Sequence, residues 1–225
     1  PKFIPQEAVE LKLAGEVTIR VRLVDCVGFM VEGAAGHLED GAERLVKTPW
    51  YDHEIPFTQA AELGTRKVIT DHSTIGVVVT TDGSFSDLPQ ETYLDAENQA
   101  ISELKKLHKP FLVLVNSSHP SSRTAREAAE RIEKQHSVAA MPVNCAQLSE
   151  EDIRQIMEQI LYEFPVSRVE FYMPKWVEML PFSHPLKTGL IEKIRELTGK
   201  IRTIRDVAEH PIVLGVCPQM YDGTD

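Results

Sequence analysis

Val17-Thr18-Ile19-Arg20-Val21-Arg22-Leu23-Val24-Asp25-Cys26-Val27-Gly28 is the stretch on which the reading of this chain turns. Apolar and polar residues alternate from Val17 to Leu23, the period-two pattern of a strand with one buried face, and Asp25 follows directly on Leu-Val. The carboxylate is therefore predicted at a strand's carboxyl end, the edge of an open parallel α/β sheet where ligands bind. Gly28 permits a sharp turn that brings backbone close to a ligand. Asp-x-x-Gly in that place supplies what a nucleoside-triphosphate switch needs, an acid near Mg²⁺ and a glycine amide facing the terminal phosphate. The same tetrapeptide is an ordinary strand terminator, so on spacing alone both readings stand.

On either side the pattern continues. Ala8 to Leu13 alternates, Ala14-Gly15-Glu16 is a turn, and Val17 to Val24 runs back, which predicts two antiparallel strands at one end of a sheet. After Gly28, a stretch to Phe57 carries Gly33, Gly36, Gly41, Pro49 and Pro56 with scattered acids, a long functional or mobile loop in which Trp50-Tyr51 and Ile55-Pro56-Phe57 anchor to the core. A helix capped by Thr58 or a neighbour is expected to run to about His72. Ile75-Gly-Val-Val-Val-Thr80 and Phe111-Leu-Val-Leu-Val115 are continuous apolar runs of the kind buried on both faces of a parallel sheet, and a third strand is expected near Val138 to Val143. Helical stripes fall between them, at about 91–107 and 123–135, and a fourth starts at Ser149 with Asp152 as a capping box. Strand–helix alternation means a doubly wound α/β sheet with helices on both faces. Asp25, Asp82, Asn116 and Asn144 each follow a predicted strand in the same polarity and should line one ligand edge.

Beyond Pro165 the character changes. Arg168 to Tyr172 reads as a strand, Pro174-Lys-Trp176 as a short helical piece, and Leu190, Ile191, Ile194, Leu197, Ile201 and Ile204 as one long amphipathic helix. The division expected is an NTPase-like domain over 1–165 and the beginning of a second, α+β domain over 166–225.

Composition narrows the class. With 225 residues, 42% hydrophobic and 26% charged, the chain can bury a real core, and a formal net charge of −10 disfavours nucleic acid as a partner. Cys26, Cys145 and Cys217 are odd in number and far apart, which suggests neither a disulfide framework nor a zinc knuckle and points to a reducing cytoplasm. No apolar run is long enough to span a bilayer. The chain begins without Met and reads as a piece of a longer protein.

Three other chemistries compete. Thr80-Thr-Asp82-Gly83-Ser84 hints at an aspartyl-phosphate phosphatase, but Thr80 stands where that chemistry needs a second acid. A hydrolytic metal site built from Asp25, His37, His53 or Asp71-His72 lacks ligand spacing on one element. A scaffold whose α/β domain is only an assembly surface needs no turnover at all. The phosphate cradle Gly-x-x-x-x-Gly-Lys-[Ser/Thr] occurs nowhere in these residues.

Leu23-Val-Asp25-Cys-Val-Gly28, Lys47-Thr-Pro-Trp-Tyr51, Ile55-Pro-Phe57, Ala60-Ala-Glu-Leu-Gly-Thr-Arg-Lys-Val-Ile69, His72-Ser-Thr-Ile-Gly-Val77, Thr80-Thr-Asp-Gly83 and Tyr162-Glu-Phe-Pro-Val166 closely resemble the stage IV sporulation protein A family over nearly all of residues 1 to 180. That family is similar to translation-factor-class GTPases, the TRAFAC type of P-loop NTPase, but hydrolyses ATP. The resemblance implies ATP and Mg²⁺ as cofactors, with Asp25 as the Walker B acid placing Mg²⁺ through water and Gly28 as the switch glycine. Nucleotide contacts are expected at the later strand ends of that ligand edge, Asn116 and Ser117, then Asn144 and Cys145. The resemblance also implies assembly with copies of itself into the basement layer of the bacterial spore coat, in the mother-cell cytoplasm at the outer forespore membrane surface. Its implied partners are a small amphipathic membrane-bound sporulation peptide and other coat proteins. GTPases read guanine with Asn-Lys-x-Asp; here the strand ends in Asn116-Ser117-Ser118-His119, without the lysine or the acid, so a preference for ATP is expected.

Overall fold

The computed structural model describes residues 5–208 apart from 14–16, 35, 37 and 40, so the turn at 14–16, His37 and Cys217 lie outside the described residues. Two compact units divide at Ile160 and Leu161.

The first unit is built on a parallel sheet of three strands in the order β7 (Gly76–Thr81), β8 (Phe111–Asn116), β9 (Ala140–Val143). These are the three runs that the sequence marks as buried strands. Val78 of β7 and Val113 and Val115 of β8 pack with Ile101 and Leu104 of α2 (Leu94–Lys106) and with Ala128, Ala129 and Ile132 of α3 (Arg123–His136). Leu112 and Leu114, on the other face of β8, are buried as well, which is why β8 reads as an unbroken apolar run. Ser122 caps α3, its hydroxyl accepting from the Ala125 amide at 3.1 Å. Ser149 and Asp152 exchange the bonds of a capping box at the start of α4 (Glu150–Tyr162).

Gly76 opens β7 where the helix behind it leaves no room. A Cβ there would stand 2.7 and 2.8 Å from the two methyl carbons of Leu104 and 3.2 Å from Cβ of Phe111. Both neighbours are core residues, so Gly76→Ala is expected to cost about 1–3 kcal/mol by overpacking. The denaturant midpoint should fall with an unchanged m-value; a shift below about 0.5 kcal/mol would mean that Leu104 repacks freely.

The hairpin of β1 (Val9–Lys12) and β2 (Thr18–Val21) is antiparallel, in register Val9↔Val21 to Lys12↔Thr18. It forms its own two-stranded sheet and does not join the parallel one, and β2 stops at Val21, short of the Val24 expected. The reason is physical: with one neighbour, a strand gains only the pairing that neighbour offers, and past Val21 no described strand lies opposite. Leu23 is 70% exposed in consequence.

Between Gly28 and Phe57 the chain makes two further small ladders, β3 (Leu38–Glu39) with β4 (Ala42–Glu43), and β5 (Leu45–Val46) with β6 (Ile55–Pro56). Ile55 is buried. Trp50 stays partly exposed and lies over Gly64 of α1 (Phe57–Lys67), with Lys67 above its ring. Pro56, not Thr58, precedes α1, and Thr58 gives its hydroxyl to Glu43 instead. The helix ends in a π-turn, Val68–His72, whose carbonyls at Ile69 and Thr70 receive the Lys109 ammonium at 2.6 and 3.0 Å.

The second unit holds α5 (Lys175–Glu178), α6 (Pro185–Lys200) and α7 (Ile204–Ala208). Two expectations are corrected. Residues 168–172 form no strand, and among the described residues no strand pairs with them. The helix expected to run through Ile204 breaks at Ile201, which takes extended dihedrals (φ −78°, ψ 122°), and Asp206 accepts the backbone amides of Arg202 and Thr203 to start a new helix. Among the described residues no helix is long and apolar enough to cross a membrane.

Candidate functional site

Three of the four strand-end residues are brought together. Asp82 after β7, Asn116 at the end of β8 and Asn144 after β9 lie at one edge of the parallel sheet, and the first two are tied to the end or loop of the next strand. The Asp82 amide donates to the Asn116 carbonyl at 3.4 Å, and the Asn116 Oδ1 accepts the Cys145 amide at 3.0 Å. Asn144 Oδ1 accepts the Ala146 amide at 3.0 Å, which closes the loop after β9. Ser117, fully buried, receives the His119 amide on its hydroxyl and gives its own amide to Val143. Ser84 links the first two loops: its hydroxyl bonds Asp82 at 2.6 Å and accepts the Ser118 amide at 2.8 Å.

This web sets the edge's electrostatics. Burial would raise the Asp82 carboxyl, but hydrogen bonds from Ser117 and Ser84 outweigh it and hold the group below the usual carboxylate range. Asp82 is thus a fixed anion here. Burial pushes the Cys145 thiol up, away from thiolate, so Cys145 serves the loop through its backbone. A cleft of about 220 Å³ opens on this edge between Thr81, Phe85, Ser86, Tyr93 and Asn116. Thr80, where a phosphatase would need an acid, spends its hydroxyl on the buried Glu97 at 2.8 Å.

Asp25 stands apart from these three. It lies four residues beyond the end of β2, in coil, on the wall of a larger cleft of about 440 Å³ whose opposite side is the open edge of β7. Its carboxylate is exposed and bonds no described residue, which leaves it free to hold a hydrated cation. The expectation that it ends a strand of the same sheet is corrected: the hairpin that precedes it pairs only with itself. Gly28 takes φ +86°, a conformation natural to glycine, and is clamped to α1 by Thr65. The Gly28 amide donates to the Thr65 hydroxyl at 2.9 Å, and that hydroxyl lies 3.1 Å from the Gly28 carbonyl. An incoming phosphate would have to take this amide from Thr65. The Thr65 contact spans 37 residues and has no local sequence signal; a buried threonine in an otherwise amphipathic helix is the only trace it leaves.

His53 and the pair Asp71-His72 converge on nothing: among the described residues no three His, Cys, Asp or Glu side chains gather where they could hold a metal. His119 occupies the position of the missing guanine-reading acid and is exposed, its ring nitrogen 3.0 Å from the Ser118 hydroxyl.

Residues 1–165 match the family model described as stage IV sporulation protein A, ATPase domain, and residues 166–220 match the model of its middle domain. Stage IV sporulation protein A of Clostridioides difficile (strain 630) is 44% identical over 207 residues, 92% of this chain and 42% of that protein. The proteins of the same name from Bacillus anthracis and Bacillus subtilis (strain 168) are 38% identical over the same shares. The chain thus spans about two fifths of the length of the curated relatives it matches. No solved structure matches it. A parallel α/β sheet with its loops gathered at one edge, matched over 1–165 by an ATPase-domain model and followed by that family's middle domain, leaves one assignment: the chain belongs to the stage IV sporulation protein A family.

Proposed function

We propose that the intact protein hydrolyses ATP, and that residues 1–165 form most of its nucleotide domain, a doubly wound P-loop NTPase-like sheet completed by a phosphate-holding loop outside residues 1–225. The observation that carries the nucleotide reading is the gathering of the Asp82, Asn116 and Asn144 loops at the carboxyl edge of a parallel sheet, where such folds bind ligands. Asp25 would place Mg²⁺ through water, Gly28 would answer the terminal phosphate, and Asn116, Ser117, Asn144 and Cys145 would border the base. In the family's setting the protein assembles with itself into the basement layer of the spore coat, on the mother-cell side of the outer forespore membrane. Its partners there would be a small amphipathic membrane-bound peptide and other coat proteins. Residues 166–225 would begin the middle domain.

The choice of ATP follows from the loop after β8. Guanine is distinguished by a carboxylate that accepts its N–H donors, and none stands here: Ser117 is buried in the web, and His119 points an imidazole outward. Loss of a charge-assisted hydrogen bond of about 1.5–3 kcal/mol removes a roughly 10- to 150-fold preference for GTP. The test is turnover of ATP against GTP by the intact protein under competition. ATP is expected to be turned over in preference to GTP; equal or better use of GTP sinks this reading.

The second reading, a scaffold that does not hydrolyse, is favoured by one observation: the Gly28 amide is already satisfied by Thr65.

A further inference from the structure

Thr65 lies on α1, 3% exposed, one turn past Ala61. A helical threonine ordinarily returns its hydroxyl to the carbonyl four residues back. Thr188 and Thr198 of α6 do so, to His184 at 3.2 Å and to Ile194 at 2.9 Å, and Ser73, just past the π-turn, does so to Ile69 at 2.7 Å. Thr65 instead reaches 37 residues back along the chain to Gly28, its hydroxyl accepting the Gly28 amide at 2.9 Å and donating to the Gly28 carbonyl at 3.1 Å. One side chain thereby holds both polar groups of the residue placed to answer a terminal phosphate.

Nothing else crowds that residue. Gly28 holds φ +86°, and a Cβ built on it would meet nothing within 4 Å, so the space beside its peptide is open to a ligand while its amide is taken by Thr65. For Gly28 to donate to a terminal phosphate, the Thr65 bond must break first. Breaking it does not strand a buried hydroxyl, because the Ala61 carbonyl, four residues back on the same helix, accepts that hydroxyl after a rotation about χ1. Threonine at this place therefore has two positions, one bonded to Gly28 and one to its own helix. Valine keeps the shape and has neither, and serine has both.

We propose that Thr65 is a positioning residue that latches the Gly28 amide away from the terminal phosphate and releases it by turning its hydroxyl to Ala61. The latch rests on the ATPase reading and adds to it the residue that sets how far the site favours ATP over ADP. A diphosphate has no group for Gly28 to answer and leaves the latch closed. A triphosphate is bound through Gly28 only by the fraction of molecules whose latch is open, and its apparent affinity is reduced by that fraction. The closed contact thus favours the nucleotide-free and diphosphate-bound protein, and its strength is set by a hydroxyl outside the Asp-x-x-Gly motif.

The experiment measures dissociation constants for ADP and for a non-hydrolysable ATP analogue with the intact parent, Thr65→Val and Thr65→Ser, and reads amide hydrogen exchange at Gly28 without nucleotide. ADP is expected to bind all three alike, which also shows that the variants are folded. Thr65→Val should bind the analogue about two- to tenfold tighter, the scale of one hydrogen bond, and Thr65→Ser should stay with the parent. Without nucleotide the Gly28 amide should exchange about tenfold or more slower than free chain in the parent and lose that protection in Thr65→Val. Analogue affinity unchanged or weakened in Thr65→Val, with ADP affinity unchanged, makes Thr65 a support of the loop and overturns the proposal. Fast exchange at Gly28 in the parent overturns it without any variant. If the parent binds neither nucleotide, the ATPase reading itself fails and the latch falls with it, so the two failures are told apart.

Discussion

Glu97→Ala in the intact protein is expected to lower folding stability by about 2–3 kcal/mol, a roughly 30- to 150-fold change in the unfolding equilibrium. Glu97 is 4% exposed on the sheet side of α2. One carboxylate oxygen accepts the Thr80 hydroxyl of β7 at 2.8 Å and the Arg131 guanidinium of α3 at 3.1 Å. The other lies 2.9 Å from the second terminal nitrogen of Arg131, close enough for an ion pair though off the hydrogen-bond direction. A single anion thereby joins one strand and two helices. Alanine leaves the Thr80 hydroxyl without an acceptor and Arg131 without its counter-charge. Because the Arg131 side chain is 31% exposed it can turn part of its charge to water, which holds the loss below the 3–5 kcal/mol of a fully buried pair. Two variants separate the terms. Glu97→Gln keeps an acceptor for Thr80 and loses only the charge, so it should fall about midway. Glu97→Met combined with Arg131→Met removes both charges and should recover most of the loss, as replacement of a buried pair by apolar side chains commonly does. Denaturant midpoints at constant m-value measure all three. A Glu97→Ala loss below about 0.5 kcal/mol would place the pair with ordinary surface ion pairs.

That network was hidden in the sequence, and the reason is instructive. Glu97 and Arg131 sit among charged residues on helices whose polar faces read as solvated, and no spacing rule joins residues 34 apart. The parallel strands, by contrast, were legible, because a strand covered on both faces leaves a continuous run such as Phe111 to Val115 that few other structures need. The capping box of Ser149 and Asp152 was legible because its partners are three residues apart. Where the sequence misled, local pattern continued past the end of its tertiary partner. Alternation runs on from Val21 to Leu23 with no strand opposite, and the apolar period of α6 runs through Ile201 although the backbone there is extended. For the candidate site, the residue types at the strand ends were readable one by one, and three of the four are tied into one edge. The Ser84 link and the Thr65 clamp on Gly28 were not readable, since each depends on where an unremarkable hydroxyl falls in space.

Asp25→Ala in the intact protein is expected to reduce ATP turnover by about a hundredfold or more, the scale on which loss of electrostatic groups at charge-developing phosphates is felt, while leaving stability within about 0.5 kcal/mol of the parent. The second half of that expectation comes from the structure: Asp25 is exposed, in coil, and among the described residues nothing bonds to it. A loss of turnover is then not a folding defect. Gly28→Ala is the complementary variant. Its added Cβ would meet nothing within 4 Å, so any effect comes from the backbone, where φ +86° costs an alanine about 1–2 kcal/mol, and from the Thr65 clamp that this geometry permits. Assembly decides between the two functional readings. If hydrolysis drives a conformational step into a polymerising state, Asp25→Ala should bind nucleotide and fail to form filaments, because the assembling conformer is reached only through turnover. If filaments form with Asp25→Ala as readily as with the parent, turnover is not what assembles the protein. The α/β domain is then a surface whose nucleotide edge is incidental to polymer growth.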